Sequence, residues 1–309
     1  MRIVSPIFGG IQDVDFMLFD LIRRKVKKAI TTVYDPLVNL TIGNQVIKIS
    51  LSHQLRENVR IFPDYNYNLP RLIKYATESD KNVTVIDIGA NVGDTVAFIK
   101  NLTDVPILCI DGEEKYIRIL KENVSKYSNV SVCHALVGAE TKEANVRMKT
   151  ERGTAFVETS SQSTKIRTLE HILEEFPDFK ASKFLKTDTD GFDTIILRSC
   201  SKYLTERKPV LFFEFDPYLV KKNGDDPFSF FSYLKSCGYK YLMFYMNNGD
   251  YLLSCDIEQD TIISQLIHFF SGREIAIFAD VCVFGENDKE LFEKSAKLEV
   301  EHFKKARGY

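Results

Sequence analysis

The segment VTVIDIGANVGDTVAFIK, Val83 to Lys100, sets Asp87, Gly89, Ala90, Asn91, Gly93 and Asp94 around one sharp turn. An apolar strand that ends in an acid, turns on glycines and runs into a helix can cradle a ligand, because glycine lets backbone N–H groups approach it closely. In open α/β sheets this crevice lies at the carboxyl ends of the strands, where the strand order reverses. A pyrophosphate loop reads G-x-G-x-x-G, whereas here the spacing is G-A-N-V-G between two acids. Asp87 and Asp94 repel phosphate and suit a cationic amino group, so the loop reads as a site for S-adenosylmethionine rather than a dinucleotide. A purely structural strand-to-helix turn is the competing reading.

The next strand, PILCID, ends at Asp111, about 20 residues beyond the glycine loop, where an acid accepts hydrogen bonds from ribose hydroxyls. Capping of the following helix is the other use of such an acid. After the third strand, SVCHALVG brings Ala135 and Leu136 to the expected adenine edge, with His134 a weak catalytic candidate. The segment KFLKTDTDGFDTIIL groups Lys186, Asp188, Asp190 and Asp193 around Gly191. Alternation in an extended chain sends Lys186, Asp188 and Asp190 to one side, beside a transferable methyl group. If the acceptor is a hydroxyl its proton must leave, and a carboxylate or a lysine of lowered pKa can orient or take it. Two other readings compete: Asp190 capping a helix that begins near Phe192, or carboxylates holding Mg²⁺ or Ca²⁺. The twelve-residue calcium-loop pattern and zinc spacings are both missing, so no metal is expected. In PVLFFEFDP an acid, Glu214, is embedded in an apolar strand; it needs a partner and reads either as a substrate contact or as the mate of a lysine such as Lys186. Tyr65 and Tyr67, in IFPDYNYNLPRL, read as a lid or substrate contact, or as aromatic packing.

The segments DIGANVGD, IDGEEKYIRILKENV, RTLEHILEEF, FLKTDTDGFDTIIL and PVLFFEFDPY, in this order and spacing over roughly residues 60 to 240, resemble the FkbM family of S-adenosylmethionine-dependent methyltransferases. The resemblance implies a seven-stranded methyltransferase sheet and methyl transfer to oxygen, on a sugar, glycan or other small metabolite. The chain has Asp111 and Gly112 where the family often has E-P, and Asp190 where it often has Glu; both changes keep the acid.

These residues must be held by strands and helices in alternation. Strands are expected at 83–88, 106–111, 129–133, 182–187 and 209–215, and helices near 94–103, 114–127, 168–176, 192–200 and 227–237. Continuously apolar strands alternating with helices imply a doubly wound, mostly parallel Rossmann-like sheet with helices on both faces. Stretches 239–246, 251–255 and 274–285 complete one edge by antiparallel pairing, with a helix near 257–270 and a charged final helix. Residues 1–80 read as an extension covering the cofactor cleft, with a hairpin turning at Gly43 and Asn44, and 81–309 as the methyltransferase domain. Within the extension, residues 12–30 have helical spacing with a basic end at 23–28, either packed on the body or lying on a membrane surface or partner.

With 41 Lys and Arg against 43 Asp and Glu, the 309-residue chain has a net charge of −2, no global excess for holding a polyanion. RNA methylation is thereby disfavoured, though the 23–28 patch could supply local affinity. N-methylation on the same fold and a non-catalytic scaffold compete with the O-methyltransferase reading. Six cysteines with no CxxC pair read as buried thiols of a reducing compartment; with no secretory signal and no apolar run long enough to span a bilayer, a cytoplasmic protein is expected.

Overall fold

The computed structural model describes residues 30–151, 154–272 and 277–308, and the side chains of 143–164 lie outside that description, as does the expected basic helix at 12–29. In chain order the strands and helices are β1 (Leu37–Ile42), β2 (Gln45–Ser50), α1 (Leu55–Ile61), α2 (Asn68–Thr77), β3 (Val85–Ile88), α3 (Asp94–Leu102), β4 (Ile107–Asp111), α4 (Glu114–Val124) and β5 (Val130–His134). There follow β6 (Leu136–Val137), β7 (Lys142–Glu151), β8 (Thr154–Arg167), α5 (Leu169–Glu175), β9 (Phe184–Thr187), α6 (Asp193–Ser199), α7 (Ser201–Arg207) and β10 (Val210–Phe215). The last are α8 (Pro217–Lys222), α9 (Pro227–Ser236), β11 (Tyr239–Met246), β12 (Tyr251–Asp256), α10 (Asp260–Ser271), β13 (Ala279–Gly285) and α11 (Lys289–Arg307).

The main sheet has the order β12-β11-β13-β10-β9-β3-β4-β5. From β3 the chain winds outward through β4 and β5 and returns to β9 on the other side of β3, with all four of the pairings from β10 to β5 parallel. The order therefore reverses between β3 and β9, where a crevice opens at the carboxyl ends. The last strand, β13, slots antiparallel between β10 and β11. Counting from β3, this is the doubly wound, mostly parallel sheet expected, with β12 adding an eighth strand through the NNGD turn.

Apolar strands buried on both faces need two helical layers. One core gathers Ile86, Leu185, Phe213 and Val281 with α5, α6, α9 and α10 residues; the other gathers Val85, Ile107, Phe184 and Cys282 with α2, α3 and α4. A third core seats the β1–β2 hairpin, through Leu40, Ile42, Ile47 and Ile49, on Ala97 and Phe98 of α3. This places Ser52, His53 and Tyr65 over the crevice. Not expected from the sequence are β7 and β8, which form a separate three-stranded sheet with β6 in the order β6-β8-β7; the charged β7 and the Ser- and Thr-rich β8 lack the apolar runs that mark the other strands.

Candidate active site

A cavity of about 1300 Å³ opens at the carboxyl ends of β3, β4, β9 and β10. On one side it is lined by Gly89, Asn91, Asp111, Ala135 and Leu136, and on the other by Lys186, Asp188, Asp190, Phe192 and Glu214.

The first side is held by Asp111. One oxygen accepts from the Asn91 N–H at 2.8 Å and the other from the Glu113 N–H at 2.8 Å, so the carboxylate ties the glycine loop to the start of α4. Burial pushes its pKa up to about 6, against the pull of those two donors. Asn91 sits in the left-handed region at φ 47°, and its Oδ1 is buried without a hydrogen-bond partner. Gly89 (φ +79°) serves a close approach of two loops rather than open space for a ligand: a Cβ there falls 2.1 Å from the Asp188 carbonyl oxygen. Gly93 (φ +84°) likewise packs against α4, its Cβ position 2.8 Å from Leu120. Gly93 and Ala90 are buried and shape the loop, while Asp94, at the start of α3, lines the cavity.

The second side is carboxylate-rich. Because β3 and β9 run parallel with Asp87 opposite Lys186, the buried Lys186 Nζ reaches Asp87 Oδ1 at 2.9 Å and lies 3.4 Å from Asp188. Burial works against the ammonium, but Asp87 and Asp188 outweigh it, and the Lys186 pKa is raised. Lys186 is thus held between two carboxylates that favour its charged form. The ion pairs of Lys186 are with Asp87 and Asp188, and Glu214 is not among them. The loop after β9 is folded by Asp193, whose Oδ2 accepts from Gly191 N–H at 3.2 Å and Thr189 N–H at 3.4 Å. Asp193, rather than Asp190, therefore organises this turn, and burial raises its pKa to about 6. Asp190, at φ 52°, lines the cavity instead.

The model of the family described as "Methyltransferase FkbM domain" matches residues 27–241. The chain belongs to the FkbM methyltransferase family. The match starts ahead of the β1–β2 hairpin. Among curated proteins none matches. Similar solved structures include an FkbM methyltransferase from Methylobacillus flagellatus KT, at 16% identity and TM-score 0.37, covering 62% of this chain and 48% of that one. The chain thus matches about half the length of that protein. A SAM-dependent methyltransferase from Agrobacterium tumefaciens is 10% identical with TM-score 0.43, over 81% of this chain and 70% of that one. Precorrin-6y C5,15-methyltransferase from Geobacter metallireducens GS-15 is 12% identical with TM-score 0.39, over 71% and 87%.

In this FkbM-family chain the two tyrosines separate. Tyr65 lines the cavity, and burial followed by the nearby Asp188, Asp94 and Asp280 raises its pKa against a hydrogen bond from Asn58. Tyr67 does not line it: its ring packs edge-on to Phe98 at 5.0 Å and its hydroxyl accepts from Asn101 at 3.1 Å, so the packing reading describes it. His134 is exposed beside the Gly112 carbonyl. The sequence reading missed Asp280, which stands opposite Glu214 in the β10–β13 ladder and accepts from Asn68 at 2.9 Å. The same signal that singled out Glu214, an acid inside the apolar strand IFADVCVFG, could have found it. No three-ligand His, Cys, Asp or Glu group suited to a metal occurs among the described residues.

Proposed function

We propose that this FkbM-family protein is an S-adenosylmethionine-dependent methyltransferase that methylates a hydroxyl of a sugar, glycan or other small metabolite. The observation that carries the reading is the division of one cavity at the strand-order reversal into a nucleoside-like half and an acidic half. The residues fit the cofactor: Asp111 stands where ribose hydroxyls need an acceptor, Ala135 and Leu136 offer an apolar wall for adenine, and Asp94 suits an amino group. The partnerless Asn91 Oδ1 supplies one more acceptor. When bound, the cofactor supplies an electrophilic methyl group for in-line transfer.

The chain's own residues then align the acceptor and deal with its proton. Lys186, fixed by Asp87, keeps Asp188 in place rather than abstracting a proton. Asp188, Asp190 and Glu214 are carboxylates that line the cavity at the acceptor end. An acid-lined pocket disfavours phosphorylated or carboxylated acceptors. All six cysteines are free, which fits a reducing compartment and a cytoplasmic protein. None of the described helices is long and apolar enough to cross a membrane.

Incubating the purified protein with methyl-labelled cofactor and fractionated extracts or glycans should transfer label to a hydroxyl-bearing compound. Label appearing on nitrogen or on RNA overturns the oxygen assignment, and failure of S-adenosylhomocysteine to bind in calorimetry overturns the cofactor assignment.

A further inference from the structure

Glu214 of β10 and Asp280 of β13 are direct partners in an antiparallel ladder. Residues so opposed project from the same face, with Cβ atoms about 4.5–5.5 Å apart. Glu214 lines the cavity; Asp280 does not, and lies behind it. From α2, the Asn68 amide donates to Asp280 Oδ2 at 2.9 Å. The groups facing the pair are predominantly acidic. After burial, the strongest influences on Glu214 are Asp188, Asp190, Asp193 and Asp280. Asp280 feels Asp188, Asp193 and the single cation Lys186, which Asp87 already engages. Tyr65 stands over the same spot.

Two carboxyl groups on neighbouring positions of one sheet face, each only partly exposed, do not both ionise without cost. We infer that Glu214 and Asp280 hold one proton in common near neutral pH and work as a proton-relay unit, with Asp280 a positioning residue behind Glu214. This rests on the assignment of the acidic half as the acceptor end. Asn68 favours charge on Asp280, so the shared proton resides on Glu214. As the acceptor O–H breaks, its proton goes to the free oxygen of Glu214, the proton already on Glu214 passes to Asp280, and the O–H electron pair stays on the acceptor oxygen. The pair holds one proton before the step and two after, and returns one to solvent through the cavity. Asp188 and Asp190 then orient the acceptor without accepting its proton.

The test needs no acceptor. S-adenosylmethionine carries one positive charge more than S-adenosylhomocysteine, so its binding lowers the pH at which the pair gives up its shared proton, while leaving that proton in place near neutral pH. Calorimetry in buffers of different ionisation enthalpy, repeated across pH, should show little proton release near neutral pH and a release that grows above it with S-adenosylmethionine but not with S-adenosylhomocysteine. In Glu214→Gln and in Asp280→Asn the remaining acid loses its like-charged partner, and the pH of half-release should fall by about one unit or more. Asn68→Ala removes the donor that favours the charged form and should move it upward, an opposite sign that loosened packing does not produce. An unmoved midpoint in all three variants overturns the proposal, as does movement in only one of the two acid variants. If neither acid variant folds, the direction of the Asn68→Ala shift decides. Absence of binding to the wild-type protein overturns the cofactor reading itself, a result distinct from bound cofactor with an unmoved midpoint.

Discussion

Asp111 shows how one side chain carries two duties. Both its oxygens are held by backbone N–H groups of the loops it joins, yet it faces the cavity, where each oxygen has a further lone pair to offer. Asp111→Ala should weaken S-adenosylhomocysteine binding by about 1.5–3 kcal/mol in calorimetry, the range for hydrogen bonds to a charged group. A loss below about 0.5 kcal/mol would leave only the loop-tying duty. Gly89 calls for a different experiment, because its Cβ position collides with backbone at Asp188 and its φ is +79°. Gly89→Val should lower Tm together with affinity, since it parts the β3 and β9 loops. Lost affinity at an unchanged Tm would show that the added side chain enters ligand space instead.

The elements hold the site through a few buried polar ties. Arg71 of α2 makes paired contacts with Glu299 of α11, Nε to Oε1 at 2.8 Å and Nη2 to Oε2 at 2.6 Å, and the Tyr75 hydroxyl adds a third at 3.0 Å. Glu299 is fully buried, so neutralising it leaves the Arg71 guanidinium with only the more distant Asp64, 3.5 Å from Nη1, as counter-charge. Glu299→Gln should cost about 3–5 kcal/mol in urea unfolding. Because α2 also carries Asn68, the same variant should disturb the β13 edge of the cavity. A cost under about 1 kcal/mol would mean that the pair is solvated in solution.

Over the whole molecule, burial drives several carboxyls upward together: Asp111 and Asp193 to about 6 and Asp280 to about 7, with Glu214 raised as well. Each has a folded pKa above its unfolded value near 4, so the folded state binds more protons between roughly pH 4 and 7. Stability from these groups is therefore present at the acidic end of that window and lost as pH rises through it. The ligand-free protein should have a higher Tm at pH 6 than at pH 7.5, measured by differential scanning calorimetry. A flat or inverted dependence would mean that the cavity acids are well solvated. S-adenosylmethionine should raise Tm more at pH 7.5 than at pH 6, as its positive charge offsets the ionised acids.

Local pattern was enough to read the strands from β3 to β5, β9 and β10, and the glycine loop with Asp111, because period and chain order are properties of neighbouring residues. The acidic segment around Asp188 was legible for the same reason. Pairing across strands was not. That Lys186 answers to Asp87 rather than Glu214 depends on the parallel register of β3 and β9, which joins residues 99 positions apart. Asp280 stands beside Glu214 because β13 inserts next to β10, and Tyr67 is kept out of the cavity lining because it packs on Phe98 and Asn101 of α3. Residue type and spacing thus selected the chemistry available, while strand order and burial assigned each carboxylate its partner and its proton.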